Sequence, residues 1–469
     1  MLRRTLAVFL GPILVALPVL AQEPETPTVS AIPSATISRP NEIRISDRII
    51  LVRDERMRPT HFTLLVHAGC LDEEPNCRGV AHYLEHLLLT GRNPDHTETA
   101  FRFFADGYAN GWTTQKATAF VHRIAPRRTE GETGGQMPDL ERLFAFYANR
   151  LRGFEVSAAD ALRERNVVLQ EYQSRIGNTP FGRFGVRFEE VLLDGHPLGQ
   201  PVIGAPKTIA ALTLEEARQF HARWYAPNNT TAIVAGNLDP EAVRAMAART
   251  FGAIEPRPLP LRRGWEAPNI GPEHLNLVVK DAQVKRRSVR YAKLVRVDET
   301  ESLRSARRLL AAFLTSQLAG SPHDTLVEQQ GVTDGVAAGI IRHLPGLYRV
   351  WLSAEPNPDT NPEQLAEALR RYLNDLVARG GPDASILERL KRRFATDTVA
   401  ASLSGERVMG RVVDWVANGE PYDSLAELPH RVAVTARDDV VHLLTALTGP
   451  GRELTGFLLP EAGIERQLP

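Results

Sequence analysis

The chain has 469 residues, 56 basic and 56 acidic side chains, 43% hydrophobic residues and two cysteines. Its formal net charge of zero removes the electrostatic case for nucleic acid or an anionic membrane surface as partner. The length and hydrophobic content suffice for two cores of about 200 residues each.

Met1-Leu2-Arg3-Arg4 precedes an apolar run from Leu6 to Leu20 that Pro12 and Pro18 interrupt, and Val19-Leu20-Ala21 supplies the small residues of a cleavage site before Gln22. Residues 1–21 therefore read as a signal peptide, which places the mature chain beyond the inner membrane, in the periplasm. A retained anchor is the alternative, but so short a run with two prolines spans a bilayer poorly, and no later segment is apolar for long enough to span one. Residues 22–40, rich in Pro, Thr and Ser, read as a disordered lead-in.

The first mature domain, residues 41–254, opens with strands such as Phe62–Val66 that alternate with long helices. Within it, His82-Tyr83-Leu84-Glu85-His86 sets two imidazoles one helical turn apart, with a carboxylate beside the second. Leu84, Leu87, Leu88 and Leu89 bury this helix, Gly79 starts it, and Thr90-Gly91-Arg92-Asn93-Pro94 ends it. The order His-x-x-Glu-His inverts the commoner His-Glu-x-x-His and marks the inverted zincins, in which Zn²⁺ polarises a peptide carbonyl and the Glu activates water. A helix with satisfied core histidines is the plain alternative. Two histidines leave a catalytic zinc one protein ligand short, and a carboxylate is the expected third.

Tyr108 to Ile124 alternates and reads as a strand. Ser157 to Gln173 reads as a helix, with Ser157 as N-cap, Asp160 in the first turn and Gly177 beyond the end. Glu164, Val168 and Glu171 share one stripe of it, either as a solvated acidic face or as the source of the missing ligand. Cys70 and Cys77 lie in the loop that enters the His-x-x-Glu-His helix. In an oxidising compartment they are candidates for a small disulfide loop, contributing up to about 2–3 kcal/mol on the chain-entropy argument. A zinc site built from these thiols and a histidine would displace the carboxylate chemistry that Glu85 needs.

A proline-stiffened linker, residues 255–272, follows. Beyond it, strand-like Asn276–Val279, helical Ser302–Leu318, strand-like Leu347–Ser353 and helical Pro362–Ala378 repeat the earlier order in a second domain, residues 273–469. No residue-level repeat marks a duplication, and this half has no His-x-x-Glu-His.

Several stretches taken together resemble the pitrilysin-type metallopeptidases, the family that includes insulin-degrading enzyme and the mitochondrial processing peptidase. They are Val66-His67-Ala68-Gly69, Glu74-Pro75 and Gly79 to His86, then Tyr108-Ala109-Asn110-Gly111-Trp112-Thr113-Thr114, similar to the family's Asn-Ala-x-Thr-Ser strand. Glu164-Arg165-Asn166-Val167-Val168-Leu169-Gln170-Glu171 resembles its Glu-Arg-x-Val-x-x-x-Glu helix, and His196-Pro197-Leu198-Gly199, Tyr225-Ala226-Pro227-Asn228-Asn229 and Gly236-Asn237-Leu238-Asp239-Pro240 continue the pattern. The likeness is strong over residues 40 to 255 and weak beyond. The interval from His86 to Glu171 is long and holds a polar run, Thr129 to Gln136, that reads as a surface insertion.

The resemblance implies an α+β chain of two similar α/β sandwich domains, forming one half-shell of a clam-shaped peptidase. It implies one zinc per chain on His82, His86 and Glu171, Glu85 as general base, and Glu164 as a supporting carboxylate that orients a ligand. The strand carrying Ala109, Asn110, Gly111 and Thr113 would be an open sheet edge that takes up a peptide substrate by main-chain pairing. The family's second half usually supplies an Arg and, seven residues later, a Tyr. In Leu326-Val327-Glu328-Gln329-Gln330-Gly331-Val332-Thr333-Asp334, Val327 and Asp334 stand at those positions. A paralogous partner subunit supplying the Arg/Tyr pair would complete a heterodimeric endopeptidase; the other reading is a non-catalytic subunit that keeps the fold to bind.

Overall fold

A computed structural model describes residues 40–92, 107–125, 137–262 and 265–461. The signal segment, the lead-in up to Arg39 and the polar run at 129–136 lie outside the described residues. Among those described, no helix is long and apolar enough to cross a membrane.

In chain order, the first half runs β1 (Asn41–Ser46), β2 (Ile49–Arg53), β3 (Thr60–Val66), α1 (Val80–Thr90), β4 (Gly107–Thr113), β5 (Thr118–Ile124), α2 (Met137–Arg152), α3 (Ala158–Tyr172), α4 (Pro180–Leu193), α5 (Pro206–Ala211), α6 (Leu214–Trp224), β6 (Thr230–Gly236) and α7 (Pro240–Arg249). Side-chain oxygens of Ser157, Thr179, Thr213 and Asp239 accept from the backbone to start α3, α4, α6 and α7. The strands form one sheet in the order β1-β2-β6-β3-β5-β4. The segment Tyr108 to Ile124, expected as a single strand, is instead the hairpin β4–β5. Its turn closes where the Thr114 hydroxyl accepts from the N–H groups of Lys116 and Ala117, at 3.2 and 3.0 Å.

The second half runs β7 (Glu273–Asp281), β8 (Ser288–Arg296), α8 (Glu301–Leu314), β9 (Thr333–Leu344), β10 (Leu347–Pro356), α9 (Pro362–Ala378), α10 (Ala384–Ser402), α11 (Gly405–Ala417), α12 (Ser424–Val434), α13 (Arg437–Thr448) and β11 (Gly451–Pro460). Its sheet has the order β7-β11-β8-β10-β9. With β1 set aside, the two sheets are wired identically: the last strand of each half inserts parallel beside the first, and the other neighbours pair antiparallel. The fold is a duplication that side-chain identity does not reveal.

Alternation along the strands gives the first sheet two apolar faces. Phe62, Leu64, Ala232 and Val234 pack under α1, α2, α6 and α7. On the other face, Leu65, Ala119, Ile233 and Ala235 join a core containing α8, α9, α11 and α13 and one face of the second sheet. The remaining face of that sheet is covered from the first half, where Phe184, Phe188 and Leu192 of α4 meet Leu294, Leu454 and Leu458. The connecting segment is held to the first half at several points: Arg257 N donates to Asn228 Oδ1 at 3.0 Å, and Arg262 and Trp265 both donate to Asp72 Oδ1, at 2.8 and 3.1 Å.

Candidate metal centre

α1 starts where Gly79 turns the chain at φ 99°, a left-handed position that suits glycine, and a Cβ there would stand 2.6 Å from the Ile203 carbonyl. The buried Glu73 caps the helix, its carboxylate accepting from Gly79 N at 3.0 Å and Ala81 N at 2.8 Å. Burial pushes Glu73 up to about 8, against the pull of those two N–H groups. Tyr83 fixes α1 to α3 through its buried hydroxyl, which donates to the Ala161 carbonyl at 2.7 Å. The two helices therefore present His82, Glu85, His86, Glu164 and Glu171 to one another.

His82 Nε2 lies 3.7 Å and His86 Nε2 3.3 Å from the Glu171 carboxylate. One ligand atom from each of the three side chains falls within 4.8 Å of the others. A tetrahedral ion about 2.1 Å from each ligand atom holds those atoms roughly 3.4 Å apart, so this donor set fits one zinc ion. Glu164 approaches the other face of His86, with Oε2 at 3.6 Å from Nδ1. This carboxylate faces the ring nitrogen that is turned away from Glu171. Arg175, one turn past Glu171 in a π-helical turn at Gln173–Gly177, pairs with Glu171 Oε1 at 2.6 Å.

The electrostatics follow from burial and from this pairing. Burial, with the neighbouring His86 charge, lowers His82 to about 3. For His86 burial works the same way, but bonds to Glu164 and Glu171 outweigh it and hold the ring at about 9. Burial raises Glu171, yet His86, His82 and Arg175 more than offset that and keep the carboxylate below its ordinary value. Glu85 is 4% exposed, and its burial raises it to about 7.

Glu85 is held from the β4 side. The Thr113 hydroxyl donates to Glu85 Oε2 at 2.6 Å, and Gly111 leaves the room that Oε1 occupies, since a Cβ there would stand 2.5 Å from it. β4 ends the sheet, so its outer backbone edge has no strand partner among the described residues. Ala109, Asn110, Gly111 and Thr113 all lie half-buried on this edge, beside Glu85.

Other expected sites differ. Cys70 and Cys77 are free thiols, not a disulfide. They sit in separate single-turn 3₁₀ helices, Cys70–Asp72 and Pro75–Cys77, between which the chain turns to send Glu73 inward, and the Cys77 thiol is directed at the Glu74 carbonyl. Val327 is half-buried in the π-helical turn His323–Gln329, and Asp334 is exposed at the start of β9. Thr113 is expected on the edge strand, but its bond to Glu85, the capping role of Glu73 and the Tyr83–Ala161 bond give no signal in the sequence. A glutamate in a loop six residues before the glycine that opens a helix gives no periodic signal, and none marks which threonine of a strand will meet a base.

Two family models match the chain: insulinase (peptidase family M16) over residues 48–175, and the peptidase M16 inactive domain over residues 211–394. An uncharacterized zinc protease of Streptomyces coelicolor is 24% identical over 412 residues, 84% of this chain and 83% of its own. One of Mycobacterium tuberculosis is 30% identical over 224 residues, 46% of this chain and 48% of its own, so the chain matches about half the length of the mycobacterial relatives. Among solved structures, a protease from Helicobacter pylori shares the fold with TM-score 0.74 and 18% identity, over 90% of this chain and 99% of that one. The first half of the periplasmic protease PqqL from Escherichia coli gives TM-score 0.71 and 18% identity, over 92% and 93%. A likeness spanning nearly all of a half-protein is what a single half-shell requires.

Proposed function

The chain belongs to the insulinase family of peptidases, family M16, and from that premise we propose that it is a zinc-dependent endopeptidase acting on peptides or unfolded segments. The observation that carries the reading is the convergence of His82, His86 and Glu171 with Glu85 beside them, next to a sheet edge that has no strand partner among the described residues. Zinc, when bound, supplies Lewis acidity toward a scissile carbonyl and acidifies water. His82 and His86 would hold the ion as neutral imidazoles with the Glu171 carboxylate, and Glu164 would keep the His86 ring in place through Nδ1. A substrate strand would add to β4 by backbone hydrogen bonds, which brings its carbonyl alongside Glu85. Glu85 would take a proton from water at Oε1 while Thr113 restrains Oε2, then return it to the leaving amine.

A second reading rests on one observation: Val327 and Asp334 occupy the positions where the resemblance expects Arg and Tyr. A chain without that pair would be a weak peptidase alone, and would either depend on a homologous partner or serve as its binding subunit. The signal-like N-terminus and the likeness to a periplasmic protease favour a periplasmic location.

Glu85→Gln tests the proposal. It should retain zinc and fold while losing most hydrolysis of a quenched fluorescent peptide, measured with the homologous partner present where the chain alone is too slow. Undiminished turnover at full zinc content would reject Glu85 as the base.

A further inference from the structure

In the duplicated topology the segment between β8 and β9 is the counterpart of the segment between β3 and β4, so α8 stands where α1 stands in the first half. α1 carries His82, Glu85 and His86. α8 carries Arg304, Arg307 and Arg308 at the same i, i+3, i+4 spacing. These arginines line a narrow cleft of about 20 Å³ that Arg342 of β9, Trp415 of α11, Glu420 and Arg431 of α12 close.

The charges around this cleft do not balance. Glu299 pairs with Arg342 at 2.8 Å and Arg304 at 3.2 Å, and Glu420 pairs with the same two at 2.8 and 3.2 Å. Glu301 pairs with Arg304 and Arg431. Arg431 also pairs with Glu427, so four carboxylates are engaged by three guanidinium groups, and Arg307 and Arg308 are left over as the two cations without a pair among the described residues. Neither has an ion-pair or hydrogen-bond partner among the described residues; Arg308 lies over the Trp415 ring at 4.9 Å, and Arg307 Nε is buried without an acceptor. Burial lowers both groups, Arg308 to about 10. Two adjacent half-buried cations with donors to spare lack what makes partly desolvated charge tolerable, a counter-charge that also accepts hydrogen bonds.

We propose that this cleft binds a compact monovalent anion, chloride or a single carboxylate group, between Arg307 and Arg308 beside Trp415. The narrowness of the cleft selects against larger oxyanions, and the two guanidinium forks favour an acceptor that takes several N–H bonds at once. The first half uses this helix position for a cation and the second uses it for an anion.

The test uses the full chain in a buffer whose only anion is bulky, such as gluconate, at constant ionic strength. Added chloride or acetate should raise the thermal midpoint saturably, by roughly 2–4 °C. Arg307→Met and Arg308→Met should each melt higher than the parent in the anion-poor buffer, because an uncompensated charge is gone, and should respond little to the anion. Arg308→Lys, which keeps charge and aliphatic stem, should fold normally and bind at least tenfold more weakly. A short peptide with a free C-terminal carboxylate that displaces acetate, where its C-terminal amide does not, would identify a peptide as the source of the carboxylate; equal failure of both peptides would identify a free ion. A parent chain without a saturable response, or variants that respond as the parent does, would overturn the site.

Discussion

Removing one oxygen atom, in Tyr83→Phe, asks how far the metal centre depends on the attachment of α1 to α3. The Tyr83 side chain is 1% exposed and its hydroxyl meets the Ala161 carbonyl at 2.7 Å. Phe fills the same volume, and the carbonyl, lying inside α3, keeps its own helical N–H. The loss is therefore one net hydrogen bond, about 1 kcal/mol, without a cavity or an orphaned acceptor. His82 and His86 ride on one side of that bond and Glu164 and Glu171 on the other, so the separation of the proposed ligands is what it restrains. If the restraint acts on metal binding, zinc affinity should fall by between twofold and tenfold. By linkage, zinc should stabilise the variant less than the parent by the same free energy. Zinc dissociation constants from competition with a fluorescent chelator, and urea unfolding with and without saturating zinc, give the two quantities independently. Unchanged zinc affinity alongside an unfolding free energy lowered by about 1 kcal/mol would show that the bond serves the fold alone and would refute the reasoning.

Glu171→Gln should sharply reduce zinc occupancy, and Glu164→Gln should reduce it less, because Glu164 faces His86 Nδ1; metal analysis of the purified variants decides, and full retention in Glu171→Gln would transfer the ligand role. His343, 5% exposed and with neither ring nitrogen hydrogen-bonded among the described residues, is lowered to about 3, first by burial and then by Arg349, Lys116 and His196. A depressed histidine contributes stability above its ordinary value near 6.5 and loses it as pH falls toward 3, so the parent should lose about 2 kcal/mol between pH 6.5 and 5 that His343→Leu does not lose. Parallel urea midpoints for the two chains at pH 7 and 5 would sink this. A purified homologue that carries Arg and Tyr at the positions of Val327 and Asp334 should raise peptide hydrolysis by this chain strongly, with association visible by light scattering. A homogeneous preparation equally active without it would show that the pair is dispensable.

What could be read in the sequence divides along the range of the interactions. His82, Glu85 and His86 lie within two helical turns, so spacing alone places them on one face. Glu171 arrives 85 residues after His86, and only the family resemblance could select it over an ordinary acidic stripe. Glu73 was illegible because its role depends on two short 3₁₀ turns folding it back under the helix it caps. The hairpin at 107–124 looks like one strand in the sequence because alternation continues on both sides of a turn that the Thr114 hydroxyl closes, without the usual glycine or asparagine. The expected disulfide rested on two thiols sharing a loop, and sequence separation says nothing of which way each points. The duplication stayed hidden because it is carried by strand order and direction, which sheets preserve while side chains diverge.

That wiring also bears on why the proposed metal centre lies in one half, whereas the same helix position in the other carries arginines. In the first half, α1 packs against α3 through the Tyr83 bond, so acidic side chains two turns apart face two histidines across one helix interface. In the second half, the same helix position presents arginines, and the carboxylates that reach it come from its flanks, Glu299 and Glu301 before and within the first turn of α8 and Glu420 after α11, each already committed to a guanidinium. A divalent cation brought there would meet a surplus of positive charge; an anion brought to α1 would meet Glu85, Glu164 and Glu171. The chain therefore divides opposite charges between two copies of one topology, with β4 and β9 as the corresponding edge strands. On the proposed reading, a peptide lying along β4 would have its backbone satisfied by the edge and its scissile carbonyl beside Glu85. The groups that would close over it from the far side must come from elsewhere, because the half that repeats the fold has spent its helix on arginines already tied into their own network.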